Sequence, residues 1–87
     1  MKARVVIYTT SYCSYCRAAK ALLSSKNIPF EEVDVTDNRE RRDEMEKLSN
    51  RRTVPQIFIN GVAVGGFDEI RRLESTGELD RLLEQTG

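Results

Sequence analysis

Cys13 and Cys16 are the only two cysteines of the chain, and they stand three residues apart in Cys13-Ser14-Tyr15-Cys16. A thiol pair at this spacing can cycle between dithiol and disulfide, or it can supply part of a metal site. The chain has no histidine, so one Cys-x-x-Cys cannot complete a four-ligand Cys/His zinc site by itself. That leaves redox chemistry as the leading reading, against an inert pair or half of an intermolecular metal site. The pair follows an apolar run and precedes a helix-periodic stretch, so it falls at a strand-to-helix junction. A helix N-terminus presents unpaired N–H groups and the positive end of the macrodipole, which favour a thiolate. Arg17 and Lys20 add positive charge nearby. An ordinary thiol is ~3% ionised at pH 7, and one lowered to a pKa of about 7 is half ionised. Some intrinsic nucleophilicity is lost in exchange, but a few-fold gain survives and the thiolate becomes a better leaving group. Cys13, at the junction, is expected to be exposed and to be the nucleophile. Cys16, one turn into the helix, is expected to be more buried and placed to attack a mixed disulfide on Cys13.

The elements that must hold this pair can be read from apolar spacing. Val5 to Tyr8 is β-branched and aromatic and reads as a buried strand. Tyr15, Ala18, Ala19, Leu22 and Leu23 fall on one face of a helix, which has ended by Asn27 and Pro29. Phe30 to Val35 reads as a second short strand. Strand, helix, strand in this span predicts a βαβ unit with parallel strands and a right-handed crossover. Asp37-x-x-Glu40 resembles a capping box opening a charged helix over Arg39 to Leu48. Arg42/Glu46 and Asp43/Lys47 are spaced to pair along it, and Met45 with Leu48 forms its thin apolar face. Asn60-Gly61 between two apolar runs specifies a two-residue type I′ hairpin. A helix from about Asp68 turns Ile70 and Leu73 inward and stops at Gly77, and Leu79, Leu82 and Leu83 continue as a last helical turn or two. The order is βαβαββα.

Two further motifs have chemical readings. Pro55, in Thr53-Val54-Pro55, stands at a strand entry, where a proline is often an edge marker. A cis bond there is the sharper reading, but base frequencies favour trans. Gly65-Gly66-Phe67-Asp68 is either a strand end with an N-cap aspartate or a close backbone approach at a helix N-terminus that favours a ligand carboxylate.

Composition narrows the rest. The 87 residues suffice for one domain, residues 1–87. Fourteen basic and fourteen acidic residues cancel, which weakens a nucleic-acid reading. The longest apolar run is Val5 to Tyr8, far short of the roughly 20 residues a membrane span needs, and no signal-peptide pattern precedes it. The expected place is the cytoplasm, where a close cysteine pair is more often catalytic than a structural staple.

Three motifs, Cys13-x-Tyr15-Cys16, Thr53-Val54-Pro55-Gln56-Ile57-Phe58-Ile59 and Gly65-Gly66-x-Asp68, stand in the order and at the spacing of the glutaredoxins, and the chain resembles the short bacterial dithiol members from Val6 to Leu79. The resemblance implies an α/β, thioredoxin-like fold with a four-stranded mixed sheet flanked by helices, and a cis Pro55. It implies a glutathione-dependent thiol–disulfide oxidoreductase, mostly monomeric, that reduces protein disulfides and glutathionylated proteins in cell redox homeostasis and electron transport. By position, Cys13 matches the nucleophile and Cys16 the resolving cysteine. Tyr15 matches the aromatic beside the thiol. Thr53, Val54 and Pro55 match the segment whose backbone pairs with glutathione as an added strand. Gly66, Phe67 and Asp68 match the segment that holds its γ-glutamyl end. Arg42 falls where the family often has a Gln or Arg near the glycyl carboxylate, although a solvated Arg42 paired with Glu46 is an equal alternative.

Two positions depart from the family pattern. Thr10 stands where a lysine is frequent, leaving Arg17, Arg51 or Arg52 to compensate. Ser14 stands where proline is usual, which restores an N–H and offers a hydroxyl to the Cys13 sulfur. The Ser14 departure motivates an alternative function, a [2Fe–2S] cluster carrier working as a glutathione-bridged homodimer, with Cys13 of each chain and two glutathiones as ligands. A third reading, reduction by thioredoxin reductase instead of glutathione, is opposed by the Tyr15 and Gly65-to-Asp68 matches. Thioredoxin itself is disfavoured by the absence of tryptophan and of a Gly-Pro pair between the cysteines.

Overall fold

The central strand of the sheet is the one that leads into the cysteines. In the computed structural model, which describes residues 3–84, β1 (Val5–Thr9) pairs in parallel with β2 (Glu31–Asp34) and antiparallel with β3 (Gln56–Ile59). β3 turns back into β4 (Val62–Gly65), so the sheet order is β2-β1-β3-β4. The turn residues Asn60 and Gly61 both have positive φ, 53° and 82°, as the Asn-Gly signal requires. The β1–β2 register runs from Val6↔Glu31 to Thr9↔Asp34. β2 is one residue shorter at each end than the apolar pattern predicts, and Phe30 and Val35 flank it.

Alternation along β1 and β3 sends side chains to two unequal cores. Val5, Ile7, Ile57 and Ile59 face α1 (Ser14–Ser25), α3 (Phe67–Thr76) and α4 (Glu78–Glu84), packing with Ala19, Leu23, Ile70 and Leu79. Tyr8 and Phe58 face α2 (Arg39–Ser49) and pack with Val35 and Met45. The Tyr8 and Phe58 rings meet edge to face at 5.5 Å.

Several local expectations are corrected. The buried stripe of α1 is Cys16, Ala19 and Leu23, not one containing Tyr15, which is 62% exposed. The N-cap of α2 is Asn38 rather than Asp37, its side chain accepting the Arg41 N–H at 3.0 Å, so the Asp37-x-x-Glu40 box does not form. Met45 is fully buried, but Leu48 is 59% exposed, so one side chain anchors the helix. Glu46 pairs with Arg52 at 2.7 Å rather than with Arg42. α3 starts at Phe67, with Gly66 at its N-cap, so Asp68 is not the cap. Gly77 ends α3 in the left-handed region, as expected, and the last turns form α4 as a separate helix. Lys26 joins these pieces through ion pairs to Glu74 and Asp80, both at 2.9 Å. Among the described residues no helix is long and apolar enough to cross a membrane.

Candidate active site

Leaving β1, the chain makes a short turn that is tied at both ends. The Ser11 N–H donates to Thr36 Oγ1 at 2.8 Å, and the Cys13 N–H donates to the Thr10 carbonyl at 3.4 Å. Cys13 is then the N-cap of α1, with extended backbone angles. Its sulfur takes the role usually given to a Ser or Asp oxygen: it accepts the Cys16 backbone N–H at 3.2 Å. Such a bond strengthens as the acceptor gains negative charge, so this helix end suits an anionic acceptor. Cys13 is partly buried rather than fully exposed, and the thiol lies 3.7 Å from the Val54 carbonyl, to which it can donate. The Ser14 hydroxyl makes no bond to this sulfur; the Cys16 amide holds that place.

Cys16 sits in a different environment. It is 1% exposed, and burial together with the adjacent Cys13 side chain pushes its thiol up to about 12, against a hydrogen bond from the Thr10 backbone that works the other way. The two thiols are free, and they have been given opposite environments by one helical turn.

Beside Cys13 lies an open cleft of about 270 Å³. One wall is Arg51, Thr53, Val54 and Pro55, and the other is Gly66, Phe67, Asp68 and Glu69, with Tyr15 at its side. The Val54–Pro55 bond is cis, as the family resemblance implies and base frequencies alone do not. The Thr53 carbonyl accepts from the buried Gln56 side chain at 2.9 Å, which holds the loop to the start of β3. Across the cleft, a Cβ on Gly66 would lie 3.2 Å from the Pro55 carbonyl, closer than side chains normally approach. A Cβ on Gly65, at φ 111°, would meet Glu69 Cγ at 2.8 Å. The double glycine therefore lets the start of α3 close on the proline loop. Tyr15 and Phe67 bring their ring centroids to 6.2 Å, and the Arg71 guanidinium covers Phe67 at 5.7 Å from its ring centre.

The structure thus gathers Cys13, Tyr15, Thr53, Val54, Pro55, Gly66, Phe67 and Asp68 around one groove, with Cys16 behind Cys13. Arg42 is not on the groove wall: its Nη2 donates to the Arg52 carbonyl at 3.1 Å and braces the loop from outside. Of the cations expected to assist, Lys20 is paired with Glu32 at 2.9 Å, Arg52 with Glu46, and Arg51 alone of Arg17, Arg51 and Arg52 lines the cleft. Thr10 is buried, and its hydroxyl has no partner among the described residues. Arg51 was foreseen only as a substitute charge, and Glu69 was missed. Glu69 Oε1 accepts the Gly66 N–H at 2.8 Å, an arrangement signalled by its position three residues after the N-cap. This bond is the main cause holding its carboxyl below the ordinary range. A larger cavity of about 690 Å³ lies by Lys26, Asp80 and Leu83 and contains neither cysteine.

Comparison with known proteins agrees with this geometry. Residues 5–64 match the family model described as Glutaredoxin. The chain is 50% identical over 82 residues to "Glutaredoxin 3" of Escherichia coli (strain K12), spanning 94% of this chain and 99% of that one. It is 46% identical over 79 residues to "Glutaredoxin" of Pseudomonas aeruginosa, covering 91% of this chain and 94% of that one. The solution structure of glutaredoxin from Brucella melitensis superposes with a TM-score of 0.84 at 48% identity, over 95% of this chain and 90% of that one.

Proposed function

The chain belongs to the glutaredoxin family of glutathione-dependent thiol–disulfide oxidoreductases, and from that premise we propose how its own residues divide the reaction. The observation that carries the proposal is the Cys13 sulfur at the N-cap of α1, receiving the Cys16 amide and facing Val54 of the cleft.

Glutathione lies along the cleft. Its cysteinyl backbone pairs with Val54 as an added strand, beside Thr53 and Pro55. Its γ-glutamyl end reaches Gly66, Phe67 and Asp68, with Tyr15 packed over the site. Arg42 serves the glycyl end indirectly, by fixing the Arg52 carbonyl at the head of the loop. With a glutathionylated substrate, the Cys13 thiolate attacks the glutathione sulfur. The substrate leaves as a thiolate and takes a proton, and Cys13 holds the glutathione as a mixed disulfide. A second glutathione thiolate attacks that glutathione sulfur, releasing glutathione disulfide and the Cys13 thiolate. With a protein disulfide, Cys13 forms a mixed disulfide with one substrate sulfur and releases the other. Cys16, deprotonated, then attacks Cys13, frees the substrate thiol and leaves a Cys13–Cys16 disulfide, which two glutathiones reduce.

The chain works as a single glutaredoxin-like domain and as a monomer, on protein disulfides and glutathionylated proteins. The placing of both thiols in the site suits a reducing cytoplasm. The family match supports this reading over the cluster carrier. Incubating Cys16→Ser with glutathione disulfide and mapping the peptides is expected to find glutathione on Cys13. Recovery of unmodified Cys13 would overturn the assignment.

A further inference from the structure

Two large side chains that stay mostly in water flank the nucleophile: Tyr12 at 70% exposed and Tyr15 at 62%. Tyr15 has a partner in Phe67 and belongs to the cleft. Tyr12 lines no wall of the cleft, and its side chain makes no hydrogen bond or ring contact among the described residues. Its backbone is nevertheless well fixed. The Cys13 N–H closes the turn on the Thr10 carbonyl, and the Ser11 N–H donates to Thr36 Oγ1. Thr36 is held in turn by Asp34, whose Oδ1 accepts its N–H at 2.8 Å and its hydroxyl at 2.6 Å. Tight turns favour Gly, Pro, Asn, Asp and Ser. Here a braced turn holds a tyrosine out in water, at the residue before Cys13.

The reaction itself brings a partner to this ring. When Cys13 attacks a protein disulfide, it bonds to the substrate's own cysteine sulfur. Cα atoms joined through a disulfide lie about 4.4–6.8 Å apart, and consecutive Cα atoms about 3.8 Å apart. The residues beside the substrate cysteine therefore come within reach of the Tyr12 side chain. A protein cysteine carries chain on both sides, more than a cleft of about 270 Å³ takes in, and Tyr12 is on the turn next to it. With a glutathionylated protein, Cys13 bonds to the glutathione sulfur instead, and the protein sulfur leaves from its far side. We propose that Tyr12 is a docking contact for protein disulfides, packing on an apolar side chain beside the substrate cysteine, and takes no part in glutathione exchange. A tyrosine ring gives a large contact area at little cost in side-chain freedom. This inference rests on the proposed action of Cys13 on protein disulfides.

The test compares wild type, Tyr12→Ser and Tyr12→Phe on three peptides, with glutathione as reductant. One has an internal disulfide with leucine beside each cysteine, the second has serine in place of those leucines, and the third is a one-cysteine form of the leucine peptide carrying glutathione. Tyr12→Ser is expected to raise KM for the leucine disulfide about five-fold, with kcat within about two-fold. Tyr12→Phe keeps the wild-type KM, since the ring makes the contact. On the serine peptide the wild type already shows the raised KM, and Tyr12→Ser adds nothing to it. Turnover of the glutathionylated peptide is the same in all three proteins, which also reports an intact fold. An unchanged KM for the leucine disulfide in Tyr12→Ser, or a rise shared by the serine or the glutathionylated peptide, would overturn the assignment. A wild type that turns over the glutathionylated peptide but neither disulfide peptide would defeat the protein-disulfide reaction itself, and the inference with it.

Discussion

The Cys16 backbone amide donates to the Cys13 sulfur at 3.2 Å, so each cysteine of the pair helps define the other. One residue caps the helix with its sulfur, and its partner supplies the N–H while burying its own thiol. Burial pushes the Cys16 thiol up to about 12, so at pH 7 it stays protonated. Iodoacetamide at pH 7 is expected to label Cys13 and leave Cys16 unmodified, as read by peptide mass mapping. Equal labelling of both would show that the two environments are not distinct.

Tyr15 is 62% exposed, yet its ring meets Phe67 at the cleft. The role proposed for it is in binding. Tyr15→Ala is expected to raise KM for a glutathionylated peptide about three- to ten-fold. Stability should change by no more than about 0.5 kcal/mol, as for other exposed positions. A large loss of stability with KM unchanged would reverse that assignment.

The α2 side of the sheet depends on one side chain. Met45 is fully buried among Tyr8, Val35 and Phe58, so Met45→Ala is expected to cost about 2–5 kcal/mol in urea unfolding. Leu48→Ala, at an exposed position, should cost under about 0.5 kcal/mol. Similar costs for both would mean that the two side chains share the burial.

Glu32 links the β1 end to α1, accepting from the buried Thr9 hydroxyl at 2.7 Å and pairing with Lys20 at 2.9 Å. The Thr9 bond, and then Lys20, hold its carboxyl below its usual 4.5. A depressed native value contributes stability above pH 4.5 and loses it as pH falls through the native value. Glu32→Gln is expected to be less stable than wild type at pH 7, with the gap narrowing as the pH is lowered below 4.5. A gap that stays the same size as the pH is lowered would mean that the charge contributes nothing.

The helix, strand and hairpin order was legible because apolar periodicity and Asn60-Gly61 are local signals. The failures were local choices that neighbours decide. Asn38 and Asp37 both can cap a helix, and it is the Asn38 side chain that accepts the Arg41 N–H. Leu48 and Met45 both look apolar, but the single face that α2 presents to Tyr8 and Phe58 admits Met45. Tyr15 fits the helical stripe by spacing, yet the first turn of α1 aims it at Phe67. At the site, the thiol pair and the glycines were readable because backbone geometry demands them. The Arg51–Glu69 contact joins a loop to a helix 18 positions on, and no spacing rule relates them.

The central claim is that Cys13 alone performs the glutathione exchange and Cys16 only resolves. Turnover of a glutathionylated peptide, with glutathione as the sole reductant, tests it in wild type, Cys13→Ser and Cys16→Ser. The account predicts activity in wild type and Cys16→Ser and none in Cys13→Ser. Activity in Cys13→Ser, or loss of it in Cys16→Ser, would contradict it.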